Sequence, residues 1–127
     1  MADNSPGAAP QVFKIAATYG FEAAHQLHRL PDGHKCKRLH GHNYRVEVSV
    51  EGPLDERGFV IDYAELDAAV QPLIDRLDHR YLNDIDGLDN PTSEVLAMWL
   101  KTRIANAITP LAPVVRIYET PRYWVEA

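Results

Sequence analysis

His40 and His42 are separated by a single glycine, Gly41. Residues at i and i+2 on a strand share a face. Both imidazoles would then be presented together, with Gly41 leaving room between them. Two ring nitrogens placed this way suit a zinc ion, and a third protein ligand with an open fourth position would make the site catalytic. His25 is the best third ligand. It ends the first alternating stretch with the parity of Phe21 and Ala23, and an antiparallel neighbour would carry it to the pair. Cys36, the one cysteine of the chain, lies four residues before His40. Its neighbours Lys35, Lys37 and Arg38 favour the thiolate. A thiolate there serves as a general base, a nucleophile or a fourth metal ligand, and the last would close the site and make it structural. Spacing alone does not separate these roles.

Two further groups could move protons or hold a substrate. Asp78 and His79 are adjacent. A carboxylate can fix a histidine tautomer for proton transfer near neutral pH, but a sequence neighbour need not face the ring. A histidine at a helix C-terminus also interacts well with the helix dipole, so both readings stay open. Glu119 shares the parity of Val115 and Ile117. A carboxylate on an apolar face is costly unless paired. Its partner is an arginine or the paired N–H donors of a heterocycle. Asp62, Asn90 and Glu94 are explained by helix capping and dipole effects.

The elements that must position these groups follow from periodicity. Phe13 to Phe21 and Asn43 to Glu51 alternate as half-buried strands. His40 and His42 continue the parity of Tyr44, Val46 and Val48 if the second strand reaches back that far. Asp62 opens a helix, with Glu65 at capping-box spacing and Leu66, Ala69, Val70, Leu73 and Leu77 on one stripe. Pro72 predicts a kink or break in it. A second helix follows Asn90-Pro91, with Asn90 as N-cap and Pro91 at the first helical position. Val114 to Glu119 reads as a third strand and Arg122 to Val125 as a fourth. The order implies an α+β domain, a four-stranded antiparallel sheet with two helices on one face. Self-association would cover the other face.

Composition narrows the class. The chain has 127 residues, which fits one domain over 12–127 after a disordered tail over 1–11. No apolar run approaches the ~20 residues of a membrane helix, and no secretory signal stands at the N-terminus. Net charge is −5 from 13 basic and 18 acidic residues, a poor balance for nucleic acid. The stretch from Gly33 to Val46 nevertheless has four basic residues and no acidic one, which suits an anionic ligand. A lone cysteine fits a reducing compartment, and a cytoplasmic location is expected.

The ordered set Phe21-Glu22-Ala23-Ala24-His25, Cys36-Lys37-Arg38-Leu39-His40-Gly41-His42, Leu77-Asp78-His79, Leu82-Asn83, Asn90-Pro91-Thr92-Ser93-Glu94 and Glu119-Thr120 resembles the 6-pyruvoyltetrahydropterin and 6-carboxytetrahydropterin synthase family. The resemblance implies a tunnelling fold in which trimers close a barrel and two trimers stack into a homohexamer. It implies zinc on His25, His40 and His42, and Cys36 as proton-abstracting base with Asp78 and His79 as acid/base partners. Glu119 would anchor the pterin ring, with Thr92 also at the substrate. Lys35, Lys37 and Arg38 are candidates for holding a triphosphate. Active sites in the family lie between subunits, so Asp78-His79 would serve a neighbour's zinc. His28 and His34 receive no role.

The subgroup is suggested by spacing. Three residues separate Cys36 from His40, similar to the carboxy-forming enzymes of queuosine biosynthesis, whereas pyruvoyl-forming members usually carry an insertion there. An aldolase-like subgroup has glutamate in place of this cysteine, so Cys36 argues against it. The implied reaction is zinc-dependent conversion of 7,8-dihydroneopterin triphosphate to 6-carboxy-5,6,7,8-tetrahydropterin, with loss of acetaldehyde and triphosphate. Pyruvoyl formation by the same residues is the alternative. A non-catalytic module with a closed Cys-His zinc site is the alternative of another class.

Overall fold

A computed structural model describes residues 11–127; most of the tail expected over 1–11 lies outside the described residues. Strand β1 (Phe13–His25) and strand β2 (His40–Gly52) form a long antiparallel ladder. Each runs further than its clearest alternation: β1 continues to His25, and β2 reaches back to His40. Strand β4 (Pro113–Tyr118) pairs with β2, and the short β5 (Trp124–Glu126) pairs with β4. A strand without a sequence signal, β3 (Arg80–Tyr81), adds parallel to the outer edge of β1. The sheet is therefore five-stranded and mixed, in the order β3-β1-β2-β4-β5, rather than four-stranded and antiparallel. Two residues carry no readable period, which is why β3 is invisible in the sequence.

Helix α1 (Tyr63–Leu77) and helix α2 (Ser93–Ala107) supply the apolar cover. Leu66, Val70, Ile74 and Leu77 of α1 join Leu96, Ala97, Leu100 and Ile104 of α2 against Tyr44, Val46, Val48, Val115 and Ile117. Asp62 caps α1 by accepting from the Ala64 N–H at 3.1 Å. The expected capping box is not closed, because Glu65 turns outward to accept from Arg57 at 2.6 Å. Pro72 does not break α1. It sits on the exposed side, as does Ala68, so water can satisfy the carbonyl that loses its helical donor.

The start of α2 also differs from expectation. Thr92, not Asn90, is the N-cap; its Oγ1 accepts from the Val95 N–H at 3.2 Å. Pro91 therefore precedes the helix, and its carbonyl is turned towards β1. Thr92→Ala should lower the unfolding free energy by about 1 kcal/mol, as loss of a side-chain cap does. Urea unfolding of the metal-free protein measures this, and an unchanged midpoint would show that the cap contributes nothing.

Candidate metal and substrate site

The β1–β2 register places His25 directly opposite His40, and Ala23 opposite His42. The three imidazoles therefore emerge on the helix-covered face at one end of the ladder. A Cβ on Gly41 would lie 3.3 Å from the Ala23 carbonyl oxygen, so the residue between the two histidines sits tight against β1. Strand β4 ends opposite Arg45, and the chain beyond it carries Glu119 to the same place. Ligating atoms of His25, His40, His42 and Glu119 all lie within 4.8 Å of one another, and such a group could hold a metal ion.

Proton placement supports a cation there. His25 Nδ1 is 2.9 Å from the Pro91 carbonyl, and His40 Nδ1 is 2.6 Å from the Arg38 carbonyl. A carbonyl only accepts, so each Nδ1 carries the proton and each neutral ring keeps its lone pair on Nε2. Those two Nε2 atoms face each other at 3.0 Å. Two lone pairs so close repel unless a cation lies between them. His42 Nε2 is buried without a well-directed hydrogen bond, although Glu119 Oε1 is 2.7 Å away. The carbonyls are the outer groups that typically orient metal-binding histidines. Glu119 is steadied by Ser93, whose hydroxyl donates to Oε2 at 2.9 Å.

A cleft of about 480 Å³ opens beside this cluster, lined by Lys35, Cys36, His40, His42, Glu119, Thr120 and Tyr123. Cys36 thus shares one cleft with His40 and His42, and it sits in a short 3-10 turn, Lys35–Lys37. His34, unassigned by sequence, caps that turn: its Nδ1 accepts from the Cys36 N–H at 3.0 Å. Of the basic residues, Lys35 lines the cleft, whereas Lys37 is ion-paired with Asp32 and Arg38 is not among the lining residues. Thr92 spends its hydroxyl on the helix cap and is not a lining residue either.

Asp78 and His79 stand elsewhere. Their side chains do meet, with Asp78 Oδ1 2.9 Å from His79 Nδ1. The same carboxylate accepts from the Glu22 N–H at 3.0 Å, which, with the His79 contact, holds its pKa below the ordinary carboxylate value. His79 adopts a left-handed φ of 57°, uncommon outside glycine, and its N–H donates to the Glu22 carbonyl at 2.6 Å. The ring is 73% exposed and lies with Glu22, Ala24 and Gly41 in a second cleft of about 570 Å³, which shares His42 with the first but contains neither Cys36 nor Glu119. Glu22 and Ala24 alternate with Ala23 and His25, so this is the opposite side of the sheet from the histidine cluster.

The family model for 6-pyruvoyl tetrahydropterin synthase matches residues 14–127. The chain belongs to that family. A 6-carboxy-5,6,7,8-tetrahydropterin synthase of Synechocystis is 43% identical over 112 residues, spanning 84% of this chain and 85% of that protein. A 6-pyruvoyl tetrahydrobiopterin synthase of Drosophila melanogaster is 39% identical over 119 residues, spanning 80% and 71%. The Caenorhabditis elegans 6-pyruvoyl tetrahydropterin synthase superposes with a TM-score of 0.84 at 28% identity, covering 92% of this chain and 95% of that one. Its tunnelling fold is the fold of this chain. No helix among the described residues is long and apolar enough to cross a membrane.

His25 is 0% exposed. Burial pushes its pKa below the ordinary histidine value, against an opposing pull from the Pro91 carbonyl; burial likewise lowers His42 against Glu119. The unfolded rings take up protons near pH ~6.5, the folded ones only at lower pH. Stability is thus full above that pH and is lost as pH falls through the folded values. Protons also compete with a metal for the same nitrogens. Metal content after dialysis and melting temperature should both be flat above pH ~6.5 and fall together below it. His40→Ala should lose tight metal throughout; stoichiometric metal in that variant would break the ligand assignment.

Proposed function

We propose that the protein converts 7,8-dihydroneopterin triphosphate to 6-carboxy-5,6,7,8-tetrahydropterin, releasing acetaldehyde and triphosphate, with zinc held by His25, His40 and His42. The observation that carries the reading is a cleft lined by Cys36, His40 and His42, with the buried His25 converging on the same two histidines from behind, in a chain 43% identical to a carboxy-forming relative. Imidazole ligands with an accessible remaining position suit zinc. When bound, zinc supplies a Lewis acid that eases removal of protons beside the substrate's side-chain oxygens.

The chain's own groups divide the remaining work. Cys36 takes a carbon-bound proton as thiolate. Its turn is fixed by the His34 cap, and Lys35, which lines the same cleft, attracts the triphosphate. Glu119, braced by Ser93, accepts from paired N–H groups on the pterin edge. His79, oriented by Asp78, returns a proton. Because this pair faces away from its own cleft, it acts on a neighbouring chain's substrate. A homohexamer of stacked trimers, with barrels closed over the open sheet face, would provide that neighbour. A place in 7-deazapurine synthesis in the cytoplasm follows from the product.

Zinc-loaded protein incubated with 7,8-dihydroneopterin triphosphate should yield a carboxy-pterin and acetaldehyde by mass spectrometry. A pyruvoyl-pterin would keep the site chemistry and overturn the product assignment. Cys36→Ala should retain full zinc and lose turnover by roughly 100-fold or more, the scale of a lost general base. Wild-type turnover in that variant would remove Cys36 from the mechanism.

A further inference from the structure

We infer that Tyr123 is the aromatic wall of the substrate cleft and selects a flat heterocycle by stacking on its face. This rests on the pterin reading above and adds to it a residue and a specificity. Tyr123 lines the cleft together with Cys36, His40, His42 and Glu119. It is 62% exposed, and among the described residues its hydroxyl has no hydrogen-bond partner. A large aromatic ring so placed leaves apolar surface in water that a flat ligand would cover.

The turn between β4 and β5 fixes the ring in place. Thr120 Oγ1 accepts from the backbone N–H groups of both Arg122 and Tyr123 at 3.3 Å. Hydroxyl-closed turns of this kind are locally stable, and Pro121 restricts the backbone further. Directly after Tyr123, Trp124 enters β5 opposite Tyr118. There it stacks with Arg116 at 4.0 Å. Successive side chains of an extended segment point to opposite sides, so anchoring Trp124 away from the cleft directs Tyr123 into it. The Arg122 guanidinium lies 5.2 Å from the Tyr123 ring centroid and supports that ring from its own turn.

The same turn begins with Glu119. Five consecutive residues thus bring a carboxylate that reads the edge of a heterocycle and a ring that covers its face. The carboxylate sets the hydrogen-bonding pattern, and the ring sets flatness. Lys35, the cleft's candidate for the triphosphate, belongs to the separate Lys35–Lys37 turn, and Tyr123 carries no charge, so Tyr123 is expected to add little to triphosphate binding.

Biopterin is a suitable probe because it is flat and has no phosphate leaving group. Its dissociation constant would be measured by fluorescence quenching on zinc-loaded wild type, Tyr123→Ala and Tyr123→Phe, with tripolyphosphate as a second ligand. Zinc content and sedimentation would be recorded for each. Tyr123→Ala should bind biopterin about three- to tenfold more weakly, the range for loss of one aromatic pair. Tyr123→Phe should bind like wild type, and tripolyphosphate affinity, zinc content and assembly should be unchanged in both. Equal biopterin affinity in Tyr123→Ala and wild type would overturn the inference while leaving the pterin reading intact. Weakened binding accompanied by loss of zinc or of assembly would also overturn it, by making Tyr123 a structural residue. No biopterin binding by wild type would overturn the pterin reading and this inference together.

Discussion

The ladder between β1 and β2 runs over thirteen residues of each strand, and its register decides which side chains can meet at the cleft. Side chains alternate between faces with period two, so a slip of one residue would send a whole row to the other side. In the observed register His25, His40 and His42 lie on the face that also carries Tyr44, Val46 and Val48. The buried valines resist any slip, because exposing them would lose burial worth about 1.5–3 kcal/mol for each side chain. The apolar middle of the sheet thereby holds the polar end in place.

The other parts of the site are aimed at the end of that ladder by separate elements. The Pro91 carbonyl, just outside α2, fixes the His25 tautomer, and the Arg38 carbonyl does the same for His40. Ser93, the first residue of α2, steadies Glu119. The helix start therefore orients one histidine and one carboxylate at once. Burial of His25 and His42 keeps both rings neutral, the state a metal requires of them. Cys36 and His79 meanwhile line different clefts. In the proposed mechanism, the acid/base set would then be completed where two chains meet.

Much of this was legible because strand parity is a strict rule. His25 shares the parity of Phe21, and His40 and His42 share that of Tyr44, so their common face followed from counting. The Asp62 cap was readable from the apolar stripe behind it. The α2 boundary was not, because Asn90 and Thr92 are both competent caps and tertiary contacts to His25 and Glu119 decide between them. Pro72 does not break α1, and it and Ala68 both lie on the exposed side of the helix, a placement that a residue count alone does not reveal. Strand β3 is too short for any period. Contact between Asp78 and His79 depended on a left-handed backbone at His79, for which a histidine gives little warning. His34 escaped notice because its role is to cap a turn, and Tyr123 because its neighbours in the cleft come from distant parts of the chain.

In the proposed site the histidine triad holds zinc with Cys36 free beside it, an open site rather than a closed one. X-ray absorption at the zinc edge of the resting, zinc-loaded protein tests this most directly. An open site should show nitrogen and oxygen neighbours only, with imidazole scattering and distances of about 2.0–2.2 Å. A sulfur neighbour at about 2.3 Å would place Cys36 on the metal, make the site structural, and contradict the role of Cys36 as a base.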